Sequence, residues 1–181
     1  MVCWGMKSHR VLFFVGDIYE DMELWYPLYR LQEAGASTVI AGETLDTFSG
    51  KHGYPCQAEA LIEDMEESDF TALVIPGGFM PDKLRRNPKV LELTRAFHES
   101  EKMIAMICHA GWIPISAGIL KGRTVTSTPG IKDDLTNAGA TWVDEAVVED
   151  GHLISARRPP DLPAFGAAMV RHLFRTAERS S

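Results

Sequence analysis

Short apolar runs recur along this chain, each followed by a stretch with helical spacing. That alternation leaves few folds open, chiefly a parallel sheet whose strands are joined by covering helices. Val11-Leu-Phe-Phe-Val15 reads as a buried strand, and Met22 to Glu33 as a helix with Leu24, Leu28 and Leu31 on one face and Gly35 as its stop. Ser37 to Ala41 is the next strand, then a loop at Gly50-Lys-His-Gly53 and a short strand around Tyr54 to Ala58. Ala72 to Ile75 is a buried strand broken by Pro76-Gly77-Gly78. Pro88 to Ser100 reads as a helix capped by Asn87, with proline at its first position. Met103 to Ile107 is a strand, and His109 to Ala117 the helix after it, ending at Gly118. Thr124 to Thr126, Trp142-Val143, Val147-Val148 and Leu153-Ile154 are short strands, the last two joined by an Asp150-Gly151 hairpin, and Pro163 to Ala177 closes as a helix.

At 181 residues one domain is expected, since single domains run roughly 100–200 residues. Residues 10–177 are assigned to it, 1–9 to a loose lead-in and 178–181 to a tail. The formal net charge of -7, with no basic run beyond Arg85-Arg86 and Arg157-Arg158, argues against nucleic-acid binding, which needs cations to neutralise phosphates. No segment approaches the ~20 apolar residues of a membrane span, and the start has no signal-peptide core. Cys3, Cys56 and Cys108 are too few and too odd in number for a disulfide scaffold, so a cytoplasmic location is expected. Cys56 is assigned to the core and Cys3 to the surface. The histidines and cysteines lack His-x-x-x-His and Cys-x-x-Cys spacings, and no glycine-rich phosphate loop occurs, so neither a metal nor a cofactor is expected.

Ligands of an open parallel sheet bind outside the carboxyl ends of its strands. Those ends carry Gly16-Asp-Ile-Tyr-Glu-Asp-Met-Glu23, Pro76-Gly-Gly-Phe-Met-Pro-Asp82 and Cys108-His109, and the three loops are expected to converge. Cys108 occupies the corner of a strand-to-helix turn, a nucleophile elbow built on cysteine. A helix N-terminus and a neighbouring imidazolium lower a thiol from about 8.5 toward about 3.5–7.5. The competing reading is inert packing, since cysteine is among the most buried residues. His109 is a poor core residue, and Ala110-Gly111 permits close backbone approach, which favours the reactive reading.

A cysteine nucleophile needs a proton shuttle and donors for an oxyanion. Glu20 and Glu23 lie three apart at a helix start, so either one can face the sulfur and the other serve the helix dipole. Gly77 and Gly78 either present amides to an oxyanion or form a tight turn. His109 acts as acid or base or only supports the thiolate, and Asp82 either orients it or is a surface carboxylate. Trp25, Trp112 and Trp142 are assigned to packing.

These pieces resemble the ThiJ/PfpI family of the class I glutamine amidotransferase-like superfamily over roughly residues 10–175. The matching segments are Tyr19-Glu-Asp-Met-Glu-Leu24 with Tyr26-Pro27, Gly50-Lys-His-Gly-Tyr54, Leu73-Val-Ile-Pro-Gly-Gly78, Ile107-Cys-His109 and Ile115-Ser-Ala-Gly118. Pro129-Gly-Ile-Lys-Asp-Asp134, Asn137-Ala-Gly139 and Trp142-Val-Asp144 look most like the PfpI peptidase branch. The resemblance implies a flavodoxin-like three-layer α/β/α sandwich with Cys108 as nucleophile, Glu23 as its hydrogen-bond partner and Glu20 as a nearby acidic group. It implies backbone amides of Gly77, Gly78 and His109 around the site. In the PfpI branch an acidic residue at the place of Asp82 reaches the histidine of a neighbouring subunit, within dimers that assemble into hexamers. Phe79 and Thr128 stand where that pattern has an arginine-like residue and a tyrosine, which makes this pocket less polar.

The function implied first is a cysteine enzyme acting on reactive carbonyls, a glutathione-independent glyoxalase or protein deglycase. A peptidase using a Cys108, His109, Asp82 triad across subunits is the second, with a small peptide as substrate. A redox-sensing stress protein or chaperone without turnover is the third.

Overall fold

A computed structural model describes residues 9–179, with side chains described through 173. Cys3 and most of the expected lead-in lie outside the described residues, as does the end of the expected tail. The order is β1 (Arg10–Phe14), α1 (Asp21–Glu33), β2 (Ser37–Gly42), β3 (Thr47–Ser49), β4 (Pro55–Gln57) and β5 (Ala60–Leu61). Then come β6 (Ala72–Ile75), α2 (Met80–Leu84), α3 (Pro88–Glu99), β7 (Met103–Ile107) and α4 (Trp112–Ala117). The remainder is β8 (Thr124–Val125), α5 (Lys132–Asn137), β9 (Thr141–Trp142), β10 (Val147–Asp150), β11 (Leu153–Ala156) and α6 (Leu162–Arg179).

Seven strands form one sheet in the order β10-β11-β7-β6-β1-β2-β5. Every pairing in it is parallel except the β10–β11 hairpin. The α1 and α6 helices pack together against one face of the sheet, while α3 packs on β6 and β7 and meets α4. Strands covered on both faces are apolar without alternation. Val11, Leu12, Phe13 and Phe14 are accordingly all fully buried, as are Ala72 through Ile75. This is the expected flavodoxin-like α/β/α sandwich. No helix among the described residues is long and apolar enough to cross a membrane.

Several local expectations hold for identifiable reasons. Asn87 caps α3, its side chain accepting from the Lys89 N–H at 2.9 Å. Gly35 and Gly118 end their helices with φ of 96° and 75°, which a Cβ would disfavour. The strand expected around Tyr54 to Ala58 is β4, but it pairs with β3 as a small antiparallel ribbon outside the main sheet. The expected helix from His109 begins instead as a 3-10 turn, Cys108–Gly111, before α4.

The chain runs from β1 outward through β2 to β5, then returns to the other side of β1 as β6 and continues to β7. The direction of winding reverses between β1 and β6, and the crevice at their carboxyl ends is where such sheets bind ligands.

Candidate active site

The three expected loops meet at that crevice, and backbone hydrogen bonds tie the first of them to the Ser49–Lys51 segment and to the glycine turn. Residues 18–20 run between those two: Ile18 N–H donates to the Ser49 carbonyl (2.8 Å) and Lys51 N–H to the Tyr19 carbonyl (2.7 Å). On the other side Glu20 N–H donates to Gly77 O (3.1 Å) and Phe79 N–H to Ile18 O (2.8 Å). Asp21, buried at the first turn of α1, accepts from the His52 and Tyr54 N–H groups at 2.8 and 2.9 Å and fixes the Gly50–Tyr54 loop against the helix. Gly50 is the residue this contact demands, because a Cβ there would lie 2.3 Å from Asp21 Oδ1.

Cys108 sits at the strand-to-helix corner with φ of 62°. A non-glycine residue in the left-handed region is costly and concentrates at functional turns. The strain holds the thiol at the sheet edge, 9% exposed, with its Sγ 3.3 Å from His109 Nδ1. The backbone N–H groups of His109 and Gly78 lie close enough to the sulfur to favour its charged form. Glu23 is fully buried beside it. Its Oε2 accepts the Gly77 N–H at 2.8 Å. Its Oε1 is buried without a hydrogen-bond partner among the described residues, and the carboxyl acts electrostatically on the Cys108 thiol.

The two glycines therefore differ in role, which corrects the expectation that both amides serve an oxyanion. The Gly77 N–H is taken by Glu23, leaving Gly78 and His109 as the amide donors at the sulfur. Gly77 is needed for space: a Cβ there would lie 2.4 Å from Glu23 Oε2 and 2.8 Å from the Cys108 Cβ. Gly78 has φ of 82°, and its Cβ would meet the Ile18 carbonyl oxygen at 2.3 Å.

The two glutamates also separate. Glu20 does not face the sulfur; it is the N-cap of α1, and its Oε2 accepts the Glu23 N–H at 3.0 Å. Its charge nevertheless acts on the site. Burial, and then the Glu20 charge, raise the Glu23 carboxyl from 4.5 to about 8. The Cys108 thiol is pushed up to about 12, by burial first and then by the Glu23 charge. That corrects the expectation of a strongly acidified thiol, because the two amides do not outweigh burial beside a second acid. Two acids in contact titrate as a pair, and with Glu23 protonated the charge opposing the thiolate is absent. His109 is lowered by burial and then by the Lys51 charge, so near neutral pH its imidazole is uncharged and supplies no imidazolium.

Asp82 lies in α2 with its carboxylate on Arg86 at 2.5 Å, and among the described residues no hydrogen bond joins it to His109. Glu20, Asp21 and His52 bring potential metal-ligand atoms within 4.8 Å of one another, but the acidic pair already serves the helix cap and the loop amides. Cys56 is core, as expected, at 1% exposure. Trp112 and Trp142 pack against the core, whereas Trp25 also lines a groove. Two contributors were not foreseen. Lys51 acts electrostatically on both Glu23 and His109, and Ile18 is held with φ of 61° beside the glycine turn.

Next to this crevice runs an apolar groove of about 770 Å³, walled in part by Met22, Trp25, Tyr26, Tyr29, Tyr54 and Leu162. It does not contain Cys108, so its size says nothing of the substrate.

Comparison with known proteins agrees along nearly the whole chain. The profile of the DJ-1/PfpI family matches residues 9–172. The chain is 44% identical over 164 residues to a deglycase of Pyrococcus abyssi, covering 91% of this chain and 99% of the relative. It is 42% identical to the deglycase PfpI of Pyrococcus furiosus with the same coverage. Among solved structures, DJ-1beta of Drosophila melanogaster matches with a TM-score of 0.86 at 26% identity, over 92% of this chain and 90% of that one. With a family match from end to end of the sandwich, relatives above 40% identity and the same fold in a solved member, this chain belongs to the DJ-1/PfpI family.

Proposed function

We propose that the protein is a cysteine-dependent enzyme acting on reactive carbonyls, a deglycase or glutathione-independent glyoxalase, with Cys108 as nucleophile and Glu23 as its proton partner. The observation that carries this reading is the fully buried Glu23 carboxyl, held by the Gly77 N–H beside a strained elbow cysteine. Two relatives above 40% identity bear the name deglycase, which supports the same class.

On methylglyoxal the steps balance without a cofactor. The neutral His109 imidazole, its Nδ1 3.3 Å from the sulfur, takes the thiol proton as the sulfur adds to the aldehyde carbon, and Glu23 gives its proton to the new alkoxide, forming a hemithioacetal. The resulting carboxylate removes the proton from that carbon and returns it to the neighbouring carbonyl carbon through an enediol, while the hydroxyl proton passes to the neighbouring oxygen, leaving a thioester. Water then attacks the thioester, releasing lactate and the thiol. The Gly78 and His109 amides support the sulfur before attack. The first test is lactate formation from methylglyoxal by the purified protein, with an unchanged rate in Cys108→Ala as the refuting result. Uptake of two oxygen atoms by Cys108 under mild peroxide, with no carbonyl turnover, would replace this reading by the redox-sensor one.

The His109 Nδ1 contact to the sulfur, 3.3 Å, favours one second reading, a peptidase whose dyad is completed by Asp82 of another subunit. It requires self-association, for which the exposed apolar side chains Met22, Tyr29 and Tyr54 supply a surface. Peptide hydrolysis surviving in Asp82→Ala, or in a dilute monomer, would exclude it.

A further inference from the structure

A second cavity, of about 330 Å³, opens where the carboxyl ends of α3 and α4 meet the loop leading to β8. It lies before the start of β7, at the edge of the sheet opposite the one that carries Cys108. Its lining includes three cationic side chains, Arg95, Lys121 and Arg123, together with His98 and a single carboxylate, Glu99. For a chain of net charge -7, that is a local reversal of sign.

The reversal exceeds what the helix ends require. A helix carboxyl end attracts a cation, and Arg95 serves α4 in this way, its Nε donating to the Ala117 carbonyl at 3.0 Å. Among the described residues neither Arg95 nor Lys121 has a carboxylate partner. Arg123 has only a loose one, Asp150 Oδ1 at 3.7 Å, and the other oxygen of that carboxylate accepts the Thr124 N–H at 2.7 Å. His98 is held in place by its Nδ1 contact to His152 Nε2 at 2.9 Å. Both imidazoles are lowered by burial first, so they line or back the cavity as neutral groups and leave its charge to the three cations.

We propose that this cavity binds the phosphate group of a small phosphorylated metabolite through Arg95, Lys121 and Arg123. A phosphate monoester carries about -1.5 to -2 charges near neutral pH, opposite in sign to the three cations, which outnumber the lining Glu99 and the loosely placed Asp150. Guanidinium groups also suit its oxygens because their paired N–H donors can bind two oxygens at once. The volume lies at the small end of the roughly 300–1,000 Å³ of ligand pockets, enough for a phosphate with a few carbons and too little for a dinucleotide.

The test is calorimetric titration of the full chain at low ionic strength with inorganic phosphate and, separately, with glycerol 3-phosphate. One saturable site is expected, with glycerol 3-phosphate bound more tightly. Lys121→Glu, a change at an exposed and unpaired side chain, should weaken binding about tenfold, or roughly 1.4 kcal/mol, and leave Cys108 reactivity unchanged. Absence of saturable binding overturns the proposal, as does binding unaltered in both Lys121→Glu and Arg123→Gln. Inorganic phosphate bound as tightly as glycerol 3-phosphate overturns the metabolite assignment in favour of a site for the free ion.

Discussion

Replacing Glu23 by glutamine should stabilise the protein near neutral pH while removing its chemistry. The carboxyl is fully buried and raised from 4.5 to about 8, so between those values the folded chain keeps a proton that the unfolded chain has lost. Stability falls with pH wherever the native state binds more protons, by roughly 1.4 kcal/mol per pH unit for one group. The contribution is therefore fully present below 4.5 and is lost progressively up to about 8, an amount on the order of 5 kcal/mol across the window. Glutamine is nearly isosteric. Its side-chain oxygen can accept the Gly77 N–H that Glu23 now accepts at 2.8 Å, its amide can donate toward the sulfur, and it does not titrate.

Urea unfolding of both proteins across that window measures the effect, and the difference between the two curves cancels groups common to both. The expected result is a difference that grows with pH in favour of Glu23→Gln, accompanied by a fall of at least about 100-fold in carbonyl turnover, the scale of a lost acid–base group. Parallel stability curves would refute the reasoning, since they would mean that Glu23 ionises in the folded protein as it does in the unfolded one. A stabilising change that abolishes activity is the usual signature of a site held in a costly state for function.

The same geometry makes other outcomes specific. Gly77→Ala should lower turnover by about 100-fold or more, because its Cβ cannot sit 2.4 Å from Glu23 Oε2 and one member of the acid–thiol pair must move; wild-type kinetics in this variant would refute the placement. Asp21→Ala should cost about 2–3 kcal/mol, leaving the His52 and Tyr54 amides without their acceptor, with faster hydrogen exchange at those two amides as the local readout. Alkylation of Cys108 should stay slow near neutral pH and accelerate only above the free-thiol value of about 8.5, because burial and then the Glu23 charge hold the thiol up. A midpoint below 6.5 would show that the amides overcome burial after all.

The strands were legible because burial on both faces writes them as unbroken apolar runs, and Cys108 because an apolar strand ending in Cys-His-Ala-Gly has few structural uses. Short elements such as β3, β5, α2 and α5, of two to six residues, are too brief to show a period. Their positions follow from tertiary pairing. The division of labour at the site was hidden for a more particular reason. Glu20 and Glu23 occupy the N-cap and third helical positions, the spacing of a capping box, in which the later side chain would turn back to the N–H of the cap. Only half of that box forms. Glu20 accepts the Glu23 N–H, but its own N–H is already satisfied by the Gly77 carbonyl. With nothing to bond at the cap, the Glu23 carboxyl is free to take the Gly77 N–H and face the sulfur. One exchange between Gly77 and the start of α1 thus both closes the crevice and releases the acid that serves it, and no pattern confined to either segment could disclose it.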